Sequence, residues 1–140
     1  MIMTNEKIRG AAFHHIALKA SDFDKSLAFY KALGARVDFE WGSGKDHIAM
    51  LEIGGGARLE LFANGGRDFL PNGRWVHFAL NVDNVQEAYE CAIEAGAKTV
   101  NAPQIMALPS TPRKMTLMVA FVEGPDGEVI EFCKTVVPTI

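Results

Sequence analysis

Apolar and polar residues alternate along "HHIALKA", residues 14–20. Ile16, Leu18 and Ala20 fall on one face, and His15, Ala17 and Lys19 on the other. That period of two predicts a strand covered on one side. Ser21-Asp22 then offers side-chain acceptors for the first free N–H groups of a helix over about 23–33. The helix ends at Gly34, suited to a left-handed C-terminal position. Three strand-like runs follow, 35–41, 46–53 and 57–63, with "GGG" at 54–56 as the turn before the last.

Sixty-two residues on, the same grammar returns. "VHFALNV", 76–82, puts Phe78, Leu80 and Val82 on one face and His77, Ala79 and Asn81 on the other. Asp83-Asn84 caps a helix over about 85–95, Gly96 ends it, and strands are predicted over 98–103, 115–123 and 127–133, with the "GPDG" turn at 124–127. The gapless match over 15–35 holds five identities: His15/His77, Ala17/Ala79, Leu18/Leu80, Gly34/Gly96 and Ala35/Ala97. The order β-α-β-β-β therefore occurs twice, in an α+β fold. Residues 1–11 read as an N-terminal tail, 12–66 as the first module and 73–136 as the second, together one domain over 12–136. Two copies are too few for a solenoid, which predicts modules paired about a pseudo-twofold axis.

The last strand of each module carries a charge where an apolar residue is expected. Glu60 stands in "RLELF" and Glu131 in "VIEFC", both on the face away from the helix. Burying a carboxylate is costly unless a positive partner is close. A single strand histidine or glutamate is ordinarily structural. Both types, in register in both halves of a repeat, point instead to a divalent metal held by His15, Glu60, His77 and Glu131. Two neutral imidazoles and two carboxylates balance its charge, and the donor types suit Ni, Zn, Co, Fe or Mn.

Composition narrows the setting. The 140 residues are 49% hydrophobic and 22% charged, as in a soluble globular protein, and the net charge of −3 offers nothing to nucleic acid or an anionic membrane. No apolar run approaches the roughly 20 residues needed to span a bilayer, and the first ten residues lack the apolar core of a signal peptide. Two cysteines make no disulfide framework, which fits a reducing cytoplasm. Of the other residues, Phe62 shares the strand face of Glu60 and is a candidate pocket wall. Cys133 shares that of Glu131 and reads as a quiet buried thiol. His47 reads as solvent-facing, and "GSGK" at 42–45 as a hairpin without phosphate-loop spacing.

The stretches "HHIALKASDFDKSLAFYKALG", "LELFANGG", "VHFALNVDNVQEAYECAIEAGA" and "AFVEGPDGEVIEF" together resemble the vicinal oxygen chelate superfamily. It includes glyoxalase I, bleomycin-binding proteins, extradiol dioxygenases and methylmalonyl-CoA epimerase. The resemblance implies U-shaped mixed sheets around a metal cavity, in a homodimer. The ligand order His, Glu, His, Glu is closest to glyoxalase I, a lyase/isomerase acting on small molecules. That implies conversion of a 2-oxoaldehyde–thiol hemithioacetal to a 2-hydroxyacyl thioester through an enediolate, as in lactoylglutathione lyase. Glu131 is then the first candidate base and Glu60 the second, and Asn64 a contact to the thiol. Lys19 stands where that group usually carries an arginine. The alternative is a methylmalonyl-CoA-type epimerase acting on an acyl thioester, with Arg74, Arg113 and Lys114 as candidate phosphate contacts. Further alternatives are an extradiol dioxygenase, which needs one ligand fewer, and a non-catalytic resistance protein, which needs no quartet.

Overall fold

The computed structural model describes residues 3–71 and 73–136. Its elements are β1 (Ala12–Lys19), α1 (Phe23–Ala32), β2 (Arg36–Trp41), β3 (Ile48–Gly54), β4 (Ala57–Phe62), β5 (Trp75–Asn81), α2 (Val85–Glu94), β6 (Lys98–Leu108), β7 (Met115–Glu123) and β8 (Val129–Thr135). This is the α+β, twice-written βαβββ order expected from the sequence. The described residues divide into two compact units, one of 15–71, 73–76 and 109–114, the other of 3–14, 77–108 and 115–136.

Within the first unit the strands run β2-β3-β4-β1. β1 and β4 are parallel, and the other neighbours antiparallel. Parallel pairing needs a crossover, and α1 with β2 and β3 supplies it. The Asp22 carboxylate caps α1 by accepting from the Lys25 amide at 3.1 Å, and Gly34 follows at φ +98°. The predicted apolar face is the one that packs. Ile16, Leu18, Phe23, Leu27, Tyr30 and Val37 close around Ala35, Ala49, Leu51 and Leu59.

The second unit repeats the plan as β5-β8-β7-β6, with β5 and β8 parallel. Asn84 caps α2 by accepting from the Glu87 amide at 3.0 Å, and Gly96 stands at φ +106°. Val82, Val85, Ala88, Ala120, Val122 and Phe132 form its helix-side core. Burial of each such large apolar side chain stabilises the fold by about 1.5–3 kcal/mol.

Three expectations change. β6 extends to Leu108, five residues beyond the strand predicted over 98–103. Pro103 is tolerated within it because, among the described residues, β6 pairs with β7 alone, at the sheet edge. The shorter loop, 109–114, then lies along β2, where Thr111 and Glu40 exchange backbone hydrogen bonds of 2.8 Å each way. The segment before β1 is not a loose end. Ile8 and Ala11 pack against the core beneath α2, Arg9 pairs with Glu87 at 3.0 Å, and the Arg9 carbonyl accepts from the Asp83 amide; residues 1 and 2 of that tail lie outside the described residues. His47 is half-buried rather than solvent-facing. Its Nε2 lies 2.9 Å from Glu40 Oε1 and its ring 4.3 Å from that of Phe23.

Gly65 tests the close approach behind β4. A Cβ there would lie 2.4 Å from the Ala20 carbonyl oxygen, which is backbone and cannot swing aside. Gly65→Ala should lower unfolding stability by about 1–3 kcal/mol, and Asn84→Ala by about 1 kcal/mol through loss of the cap. Urea denaturation reads both, with Ser21→Ala as the exposed comparison; a wild-type midpoint in Gly65→Ala would mean that the chain passes less closely there.

Candidate functional site

Each unit places one histidine and one glutamate together on the sheet face opposite its helix. In the first, β1 and β4 pair with Ala17 beside Glu60 and His15 beside Arg58. In the second, β5 and β8 pair with Ala79 beside Glu131 and His77 beside Val129. The two registers are the same. The histidine stands two residues before an alanine, and the alanine stands opposite the glutamate. Both alanines are fully buried. A methyl group at that position leaves room for the imidazole to lean over it toward the carboxylate.

The resulting contacts are nearly equal. His15 Nε2 lies 3.3 Å from Glu60 Oε1, and His77 Nε2 lies 3.1 Å from Glu131 Oε1. His15, Glu60 and Glu131 are buried, at 2%, 7% and 5% exposure, and the His77 side chain is 7% exposed. On its other side each glutamate meets a large apolar residue, Met50 for Glu60 and Phe121 for Glu131. The Phe121 ring stands edge-on to His77, with centroids 5.6 Å apart and an interplanar angle of 82°. Carboxylates in such surroundings need a close positive or hydrogen-bonding partner, and the strand register supplies an imidazole to each.

The same distances bear on metal binding. Ligand atoms about 2.0–2.2 Å from one ion stand roughly 2.8–3.6 Å from their neighbours, depending on whether the geometry is octahedral or tetrahedral. The Nε2–Oε1 separations of both pairs fall in that range. Imidazole and carboxylate are also donors that first-row dications accept. The residues fit the group that the sequence predicts for them.

The candidate substrate contacts are placed as follows. Lys19 and Phe62 are half-buried register partners at the ends of β1 and β4. Asn64 is exposed in the turn after β4. The Arg74 guanidinium donates to two backbone carbonyls, those of Lys19 at 3.2 Å and Gly66 at 3.1 Å. It therefore ties the connector after β4 to the end of β1. Cys133 is buried on the Glu131 face, where its thiol donates to the Leu80 carbonyl. Sequence reading missed the role of the 109–114 loop. Arg113 Nη2 lies 3.0 Å from Asp38 Oδ1, and its guanidinium carbon lies 5.5 Å from the centre of the Phe39 ring. No helix among the described residues is long and apolar enough to cross a membrane.

Comparison with known proteins identifies the family and agrees with the fold. A model of the Glyoxalase/Bleomycin resistance protein/Dioxygenase superfamily matches residues 12–132. A probable lactoylglutathione lyase of Synechocystis sp. is 33% identical over 129 residues, covering 86% of this chain and 93% of that one. The lactoylglutathione lyase of Haemophilus influenzae is 32% identical, covering 84% and 88%. Among solved structures, the methylmalonyl-CoA epimerase of Mycobacterium tuberculosis shares the fold, with a TM-score of 0.69 at 17% identity, covering 97% of this chain and 94% of that one. The match over most of its length, with the doubled module at its centre, makes the chain a member of the Glyoxalase/Bleomycin resistance protein/Dioxygenase superfamily.

Proposed function

We propose that the protein is a divalent-metal-dependent isomerase of the glyoxalase I kind. It would convert the hemithioacetal of a 2-oxoaldehyde and a thiol into a 2-hydroxyacyl thioester. The observation that carries this reading is the doubled pair, His15 with Glu60 and His77 with Glu131, each spaced as neighbouring ligands of one ion. Identities of 33% and 32% to lactoylglutathione lyases add support.

A bound dication would supply stabilisation of the negative charge that builds on the substrate oxygens once a C–H proton leaves. The proton itself is the work of the carboxylates. Glu131 is the first candidate to take it from the carbon bearing sulfur and to return it to the adjacent carbon, and Glu60 is the second. Two carboxylates from equivalent strands allow either enantiomer of the hemithioacetal to be met on one of its faces. Met50 and Phe121, flanking the two glutamates, would limit water around the exchanging proton. A cytoplasmic homodimer is the setting that goes with this reading.

Two measurements test it. Purified wild type should carry about one divalent ion per chain, and Glu60→Gln and His77→Ala should each lose it or lose methylglyoxal–thiol turnover by about 10²–10⁴-fold. Full occupancy with unchanged turnover in both variants would refute the site. Independently of activity, restoring Ni²⁺ or Zn²⁺ to chelator-stripped wild type at a hundred times Kd should stabilise the fold by about 2.7 kcal/mol. His77→Ala should gain much less. A thermal midpoint indifferent to metal in wild type would count against the ion.

A further inference from the structure

The two histidine–glutamate pairs share a register but not a backing. Opposite Glu60 on the next strand stands Met50, and opposite Glu131 stands Phe121. A methionine has three rotatable side-chain bonds and follows whatever surrounds it. A phenyl ring is flat and stiff, and its contact with another ring is directional. The repeat is therefore broken in stiffness, directly beside its own glutamates.

In the second unit the break reaches the histidine. Phe121 pairs with Glu131, Glu131 pairs with Ala79, and His77 stands two residues before Ala79 on the same face. The Phe121 ring meets the imidazole edge-on, with centroids 5.6 Å apart and planes at 82°. The ring is itself held. β7 is paired on both sides, so Phe121 is flanked by Asn101 on β6 and Glu131 on β8. It packs against the buried cluster of Ala79, Val119 and Cys133, as Leu117 does further along β7. This contact supplies what the carboxylate does not. The 3.1 Å approach of Glu131 fixes where His77 Nε2 lies. It leaves the tilt of the ring open, because the last torsion of a histidine is broad. Tilt matters for a ligand, since the lone pair of an imidazole nitrogen lies in the ring plane. Groups outside a donor set that fix ring orientation raise its hold on metal. An edge-to-face aromatic pair does so without a polar atom, and a pair of this kind shifts an equilibrium by about two- to twelvefold.

We propose that Phe121 is a positioning residue for His77: its ring sets the plane of the imidazole and thereby tightens the hold of that residue on a divalent ion. The second unit then contributes the stiff pair, and the first, backed by Met50, the pair that adjusts. The proposal rests on the reading above in taking His77 as a ligand, so one arm of its test uses no metal. In that arm, side-chain proton–nitrogen NMR spectra of the metal-free protein report the imidazoles directly. Wild type and Phe121→Tyr, which keeps the ring, should each show one sharp set of His77 signals. Phe121→Leu should broaden or double that set and leave the His15 signals unchanged. Phe121→Met, which copies the residue of the first unit, reads the same quantity should the leucine variant fail to fold. In the second arm, zinc affinity by chelator competition should fall about three- to tenfold in Phe121→Leu and stay within about twofold of wild type in Phe121→Tyr. Leu117 stands opposite Thr135, far along β8 from Val129, the partner of His77. Leu117→Ala should therefore lower the thermal midpoint while moving neither reading. His77 signals that stay sharp without the ring, equal broadening of His15, an unchanged zinc affinity in Phe121→Leu, or an equal change in Leu117→Ala would each overturn the proposal. A wild type that binds no zinc, with the His77 signals still broadened by Phe121→Leu, would instead sink the isomerase reading and leave the orienting role in place.

Discussion

A carboxylate inside a β-sheet needs a partner within reach, and that constraint organises the site faces of this protein. Glu60 and Glu131 are almost out of contact with solvent, on strands whose other residues are largely apolar. Left alone, either charge would cost several kcal/mol to bury. The partner in each case is an imidazole from the parallel neighbouring strand, set two residues back in register so that it reaches across an alanine. Replacing that alanine with a larger residue would crowd the very space the contact occupies. Within each unit the histidine, the glutamate and the alanine between them thus form a set in which each member makes sense only beside the others.

The remainder of each unit serves to hold that register. One face of the sheet is packed against a capped helix, and the period-two alternation sends His and Glu to the other. A slip of one residue between β1 and β4 would turn Leu59 and Leu61 away from α1 and Glu60 into it, so the hydrophobic core itself specifies the site. The glycines at the helix ends take the left-handed conformation that lets the chain turn back at once into the next strand. The loop of residues 109–114 adds a layer outside this scheme. It is fixed to β2 by backbone bonds at Glu40 and by the Arg113–Asp38 pair, and it brings a cation to the face that holds Glu60.

Much of this was legible in the chain. The two helices, their capping pairs Ser21-Asp22 and Asp83-Asn84, the glycine ends and the doubled His–Glu pattern all follow from local periodicity and turn chemistry. Those are properties of neighbouring residues. The misreadings share a cause of the opposite kind. Residues 104–108 read as connection unless β7 is there to pair with them. Ile8 and Ala11 read as tail unless α2 is there to cover. His47 reads as solvated unless Glu40 and Phe23 are beside it. The Asp38 bulge has no sequence signature, since one unpaired residue in an antiparallel pair is defined only by its partner strand.

The sequence by itself determined which residue types alternate to which face, where each helix begins and ends, and that the pattern is written twice, because all of these are set within a few bonds along the chain. The tertiary structure decided the register of β1 on β4 and of β5 on β8, hence the 3.3 and 3.1 Å contacts, and it decided that Arg113 meets Asp38. Those depend on hydrogen-bond ladders and packing between segments tens of residues apart, where a shift of one residue changes every partner.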